Sequence, residues 1–187
     1  LPQVESCATA GDDDCNGQAL TCAAANQDCN PQTGQCEDAC SPVLLGNSYV
    51  GCEYYPTITA NLVNHTNFNF AVAVSNTSNK VATVTVTRGN NQISTVNVAA
   101  NSVQIINLPW DLTLKGPTNN NVTPFPASVR VNQGAYRLLS NRPVTVYQYN
   151  PLQYTTGGNC NINIASCSYS NDASLLFPTS GWRQDHY

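Results

Sequence analysis

FNFAVAVSNTSNKVATVTVTRGNNQISTVNVAANSVQIINL, residues 68–108, decides the fold. In Lys80–Thr87 the residues alternate: Ala82, Val84 and Val86 fall on one face, and Val81, Thr83, Thr85 and Thr87 on the other. Side chains of a strand repeat every two residues, so one face packs inward and a Thr-rich face meets water. In Phe68–Ser75, the residues Phe68, Phe70, Val72 and Val74 share a face, while Ala71 and Ala73 keep the other small and nearly apolar, as suits a central strand. Asn76–Asn79 (NTSN) and Arg88–Asn91 (RGNN) separate these strands, and Asn and Gly tolerate the positive φ of tight turns. Gln92–Val98 and Ser102–Leu108 continue the pattern around Ala99–Asn101. Four successive strands with short loops predict a meander or Greek-key part of an antiparallel sheet. The Val, Ile and Thr content agrees, and no part of the stretch has a helical period.

The chain has 187 residues, enough for one domain with a real core plus an appendage. Charged residues make up only 10% and the net charge is −4, so seven scattered basic residues leave no nucleic-acid footprint. No apolar run reaches membrane-spanning length, and no membrane insertion is expected. No signal peptide is visible at Leu1; the opening LPQVESC reads as a mature or trimmed end and forms no lipoprotein box.

Nine cysteines and no methionine are present, and six of the cysteines lie between Cys7 and Cys40. Such density in a polar segment points to an oxidising compartment, hence an extracellular or cell-surface location. Cys7, Cys15, Cys22, Cys29, Cys36 and Cys40 are separated by Gly, Asn, Asp and Pro, so disulfides rather than an apolar core hold residues 1–40, a stalk-like module. Within it, Cys29–Cys36 (CNPQTGQC) is a turn bracketed by two cysteines, loosely similar to small EGF-like modules. Zinc is disfavoured, because no C-x-x-C pair is present and neither histidine is near. Cys52 is a candidate partner for Cys40, and Cys160 for Cys167; the odd total leaves one cysteine free or joined elsewhere. Asn64, Asn76 and Asn121 head formal glycosylation sequons, meaningful in a eukaryotic source.

Residues 41–56 read as a linker and 57–187 as the sandwich domain. Thr57–Val63 is expected as its first strand. Pro109–Pro126 holds four prolines and a triple Asn, and so reads as a long loop or sheet-to-sheet crossover. Ala127–Val131, Ala135–Ser140 and Pro143–Asn150 are expected as strands, with Ser140–Pro143 a turn and Ser174–Phe177 one more short strand. Eight or nine strands make an all-β, antiparallel β-sandwich, Ig-like or jelly-roll-like, behind a small disulfide-rich segment.

GCEYYP (51–56), FAVAVSNTS (70–78), AYRLLSNRPVTVYQYNP (135–151) and SNDASLLFP (170–178) occur here in an order that resembles a group of bacterial, myxobacterial-type secreted proteins. That group is similar to the N-terminal domain of the IgG-Fc-binding protein of mucus. The likeness spans about residues 40–187, and the Cys-rich front fits it as well. The resemblance implies an extracellular binding or adhesive role. It carries over no Fc-contact residue and no catalytic residue. It also implies that a second, similar β-rich half follows SNDAS, so that GWRQDHY would open that half and the chain would be a fragment.

Little in the chain points to chemistry. His65 and His186 lie in a turn and in the tail, with no nucleophile elbow nearby, so no catalytic residue is assigned and the chain reads as a non-enzyme. Asp12, Asp13 and Asp14 are weak calcium candidates whose spacing is not that of an EF-hand loop; no other cofactor is expected. Tyr54, Tyr55, Trp110, Tyr154 and Tyr169 are the candidate ligand contacts, as aromatics able to stack on a sugar. Tyr147 and Tyr149 belong to the same aromatic set, but their alternation suggests inter-sheet packing. Ser170–Asp172 reads as a turn. The expected function is adhesion, or the building of an extracellular fibre or matrix. Its partners would be other copies of the chain, cell-surface or matrix proteins, or glycans, and the alternative is a carbohydrate-binding module.

Overall fold

In the computed structural model the described residues are Cys22, Ala24 and residues 26–30, 33–61, 69–116, 128–150 and 173–182. They form nine strands, two short helices and a 3-10 turn: an antiparallel β-sandwich behind a disulfide-bonded hairpin.

The hairpin comprises β1 (Gln27–Asn30) and β2 (Gln35–Asp38), turned at Gly34 with φ 66°. Cys29 and Cys36 face each other across it, yet Cys36 is bonded to Cys22. Cys40 pairs with Cys52, as the spacing suggested, and all five described cysteines are in disulfides. Cys160 and Cys167 lie outside the described residues.

The span read as a linker carries a helical turn, α1 (Pro42–Leu45), capped by Ser41, and then β3 (Gly51–Tyr54). β3 is thus the first strand of the sandwich. The strand expected at Thr57–Val63 is not formed in its described part, residues 57–61. There the backbone bonds singly to scattered partners: Thr57 N to the Gln148 side chain, Asn61 N to Lys115 O, and Pro56 O from Tyr136 N.

The central stretch forms β4 (Phe70–Asn76), β5 (Ala82–Arg88), β6 (Asn91–Val98) and β7 (Ser102–Leu108). β4 pairs with β7, and β5 with β6, so the pairs nest as in a jelly roll rather than run as a meander. Ala82, Val84 and Val86 are buried while the Thr face is half-exposed, as the alternation predicts. Gly89 (φ 55°) and Asn101 (φ 51°) make the turns after β5 and β6. The long loop after β7 contains α2 (Leu112–Lys115), whose first amides are capped by Asp111.

β8 joins the two halves. The sequence suggests two strands with a turn at Ser140–Pro143, and a further strand at 127–131. Instead Arg137–Tyr149 is one strand of 13 residues, and residues 128–131 are not strand. Its first half lies between β3 and β5, and its second half between β4 and β9 (Ala173–Leu175). The main strand order is β6-β5-β8-β4-β7. Pro143, which has no N–H to donate, falls where the strand changes partners. Inward positions continue without a break through Leu138, Ser140, Arg142, Val144, Val146 and Gln148. Tyr147 is therefore on the outer face and exposed, and Tyr149 is half-buried there, against the expectation of inter-sheet packing.

The core lies between the two halves and contains Phe70, Val72, Val74, Val84, Val86, Val98, Ile106, Leu138, Val144 and Val146. Arg142 is also buried in it, and its guanidinium pairs with Asp28 of β1. Lys80 Nζ reaches the same carboxylate at 3.5 Å. The hairpin is thus docked on the sandwich by charge as well as by the Cys40–Cys52 bond.

Candidate functional site

Two surfaces stand out. The first is a cleft of about 450 Å³ where the disulfide hairpin, β8 and the C-terminal 3-10 turn (Thr179–Gly181) meet. Its apolar lining is Pro42, Leu45, Leu139 and the Cys40–Cys52 disulfide. Its polar lining includes Asp38, Glu53, Asn141, Thr179 and Ser180.

β3 and the 3-10 turn position this polar set. They pack closely because residue 51 is glycine: a Cβ there would lie 2.3 Å from Pro178 Cβ. Glu53 Oε1 accepts from Arg137 Nε at 2.6 Å and from the Tyr55 hydroxyl at 3.1 Å, and Oε2 accepts from Thr179 Oγ1 at 3.0 Å. Burial raises the Glu53 pKa, but these hydrogen bonds and the Arg137 charge outweigh it and hold the carboxyl below its usual range. Asn141 Oδ1 accepts from Thr83 N at 2.7 Å, which orients its amide. Ser180 Oγ is buried without a hydrogen-bond partner.

Aromatic rings flank the same two segments. Tyr55 and Trp182 lie 5.7 Å apart between centroids, and Tyr49 and Phe177 4.9 Å apart. All four are exposed, Trp182 to 55%.

The second surface is the β7 side of the sheet. Val103 is 62% and Ile105 48% exposed, and Gln104 between them is exposed too. Consecutive exposed residues mark a strand open along its edge. On the outer face the cross-strand row Ile105–Ala73–Tyr147–Leu175 runs beside Asn107–Ala71–Tyr149–Ala173. The small β4 residues Ala71 and Ala73 lie between Ile105 on one side and the two tyrosines on the other, and are themselves buried.

Of the aromatic candidates, Tyr55 alone is exposed among the described residues. Tyr54 is fully buried, and its hydroxyl donates to Tyr49 O and Val144 O, so it is a core residue rather than a ligand contact. Trp110 is half-buried against Phe70, with ring centroids 5.7 Å apart, and the ammonium of buried Lys115 is 6.0 Å from its ring. It props the core edge instead of offering a stacking platform. Tyr154, Tyr169, the turn at Ser170–Asp172, the calcium candidates Asp12, Asp13 and Asp14, and both histidines lie outside the described residues. So do the sequons at Asn64 and Asn121. Asn76 is buried, and its Nδ2 donates to Lys80 O, Val98 O and Ala99 O.

Sequence reading missed Glu53, Arg137, Thr179 and Trp182. Only the exposed-aromatic composition of GCEYYP and GWRQ hints at them, because the four meet through pairings between distant segments. No helix among the described residues is long and apolar enough to cross a membrane. No family model, curated protein or solved structure matches the chain.

Proposed function

We propose that the chain is a non-enzymatic, extracellular or cell-surface β-sandwich module for adhesion, assembling with further copies of itself through the β7 edge. The observation that carries this is the character of that edge. Sheet edges are ordinarily protected by Lys, Pro, bulges or covering segments. β7 pairs with β4 in unbroken register, contains no proline or charge, and exposes Val103–Ile105 to solvent. No charged residue occurs between Arg88 and Asp111. Two antiparallel copies of β7 meet without like-charge repulsion, and such pairing extends the sheet across a two-fold axis. The disulfides suit an oxidising compartment, and the resemblance to secreted IgG-Fc-binding-like proteins points the same way.

Sedimentation velocity and electron microscopy of the native protein test the proposal. Dimers or polymers are expected, and Ile105→Lys, at an exposed position, should return them to monomers without lowering the melting temperature. A monodisperse monomer at all concentrations overturns it.

A further inference from the structure

We infer that the cleft beside the Cys40–Cys52 disulfide is a binding site for a neutral carbohydrate, with the Tyr55–Trp182 pair as its stacking platform. A pyranose has an apolar C–H face and a rim of hydroxyls. It therefore calls for an exposed ring, planar polar side chains in hydrogen-bonding position, and a partly apolar wall. All three converge on Glu53.

The Glu53 carboxylate lines the cleft, and the Tyr55 hydroxyl bonds to it from the platform side. The platform and the cleft are therefore continuous. Three protein donors reach Glu53, two on Oε1 and one on Oε2. A carboxylate offers about four acceptor sites, so one on Oε2 is left for a ligand hydroxyl. Arg137 gives its Nε to Glu53, is nearly half exposed, and has guanidinium donors left over. With its oxygen taken by Thr83 N, Asn141 has its amide N–H groups to offer the cleft.

Ser180 lines the cleft, but its Oγ lies against Gly51 and is shielded from solvent, so its role there is to pack the wall.

Ion pairing keeps Glu53 ionised and saturates most of its acceptors, which disfavours an anionic sugar and favours a neutral one. The inference is independent of the β7 edge, which belongs to different strands.

Cellotriose, triacetylchitotriose, mannotriose and galactotriose, titrated into the full chain by calorimetry, make the test. At least one is expected to bind. Trp182→Ala and Tyr55→Ala should each weaken that binding about tenfold or more while leaving the melting temperature unchanged, since both rings are exposed. Ile105→Lys should leave it as it is. Failure of the unaltered chain to bind any of the four trisaccharides overturns the inference. So does binding that survives both aromatic substitutions.

Discussion

Tyr54 and Tyr136 tie the phenolic chemistry of the core to the stability of the fold. Burial raises the pKa of both hydroxyls; each donates to a backbone carbonyl, Tyr54 to Tyr49 and Val144, Tyr136 to Pro109. A tyrosine whose folded pKa exceeds its unfolded value, about 10, contributes stability that is complete below that value and is lost as pH rises toward the folded pKa. The protein should therefore lose stability in urea above about pH 10. Tyr54→Phe should lose less over that interval, while being about 1–2 kcal/mol weaker at neutral pH. Lys115 acts in the opposite sense: burial lowers its pKa, so its charge penalises folding at neutral pH and the penalty lifts as pH rises through the folded value. Asn76 allows a second prediction. Its amide nitrogen is committed to three carbonyls, and its Oδ1 accepts from Ser78 N and Oγ. Asn76→Asp replaces those donors with an acceptor among carbonyls and should cost about 3 kcal/mol in chemical denaturation. The same geometry leaves no room for a glycan, so peptide mapping of folded protein from a eukaryotic host should find Asn76 unmodified despite its sequon. A sequon is a local pattern, and burial is not.

β5 was legible from residue alternation because its register places Ala82, Val84 and Val86 in the core, while β6 and β7 were legible from composition and turns and bury only Val98, Ile106 and Leu108 near their ends. β8 was misread for a local reason: Ser-Asn-Arg-Pro has turn composition, yet pairing with β3, β4, β5 and β9 holds those residues extended. Arg142 escaped notice as an inward residue because guanidinium groups are normally solvated. β3 was hidden in GCEYYP, where only four residues pair. Two changes probe that strand. Gly51→Ala places a methyl against Pro178, and the overpacking should cost about 1–3 kcal/mol and lower the melting temperature, with the 3-10 turn pushed off Glu53. Removing the Cys40–Cys52 bond, which spans a sequence separation of 12, by a double Cys→Ser change should cost about 3 kcal/mol, read as a lower urea midpoint.

The whole molecule depends on how the disulfide hairpin is seated. Arg142 is buried on β8 and reaches across to Asp28, which Lys80 also approaches. Breaking a buried pair by removing one partner strands the other charge, whereas replacing both by apolar groups is far milder. Asp28→Asn should thus cost about 3 kcal/mol, and the double change Asp28→Asn with Arg142→Met should recover much of it, as measured by equilibrium unfolding. Acid should weaken the assembly in the same experiment. Burial opposes ionisation of Glu53 and Asp111, but hydrogen bonds from Arg137 and Arg88 respectively hold both carboxyls below their usual range. The stability they contribute is present above about pH 4 and is lost as pH falls through the lowered values.

Period-two alternation, β-branched content, cysteine density and Asn/Gly turns are local properties. From them alone follow the all-β class, the strands of residues 70–108, the stapled front and Cys52 as a candidate partner for Cys40. Which strands become neighbours, that β8 belongs to both halves, that Tyr54 is buried while Trp182 is exposed, and that Glu53, Asn141, Thr179 and Ser180 share one cleft are decided by contacts between residues as far as 126 positions apart. Such contacts form only when the two halves close on a common core, and no residue pattern along a single strand encodes which partner arrives across it.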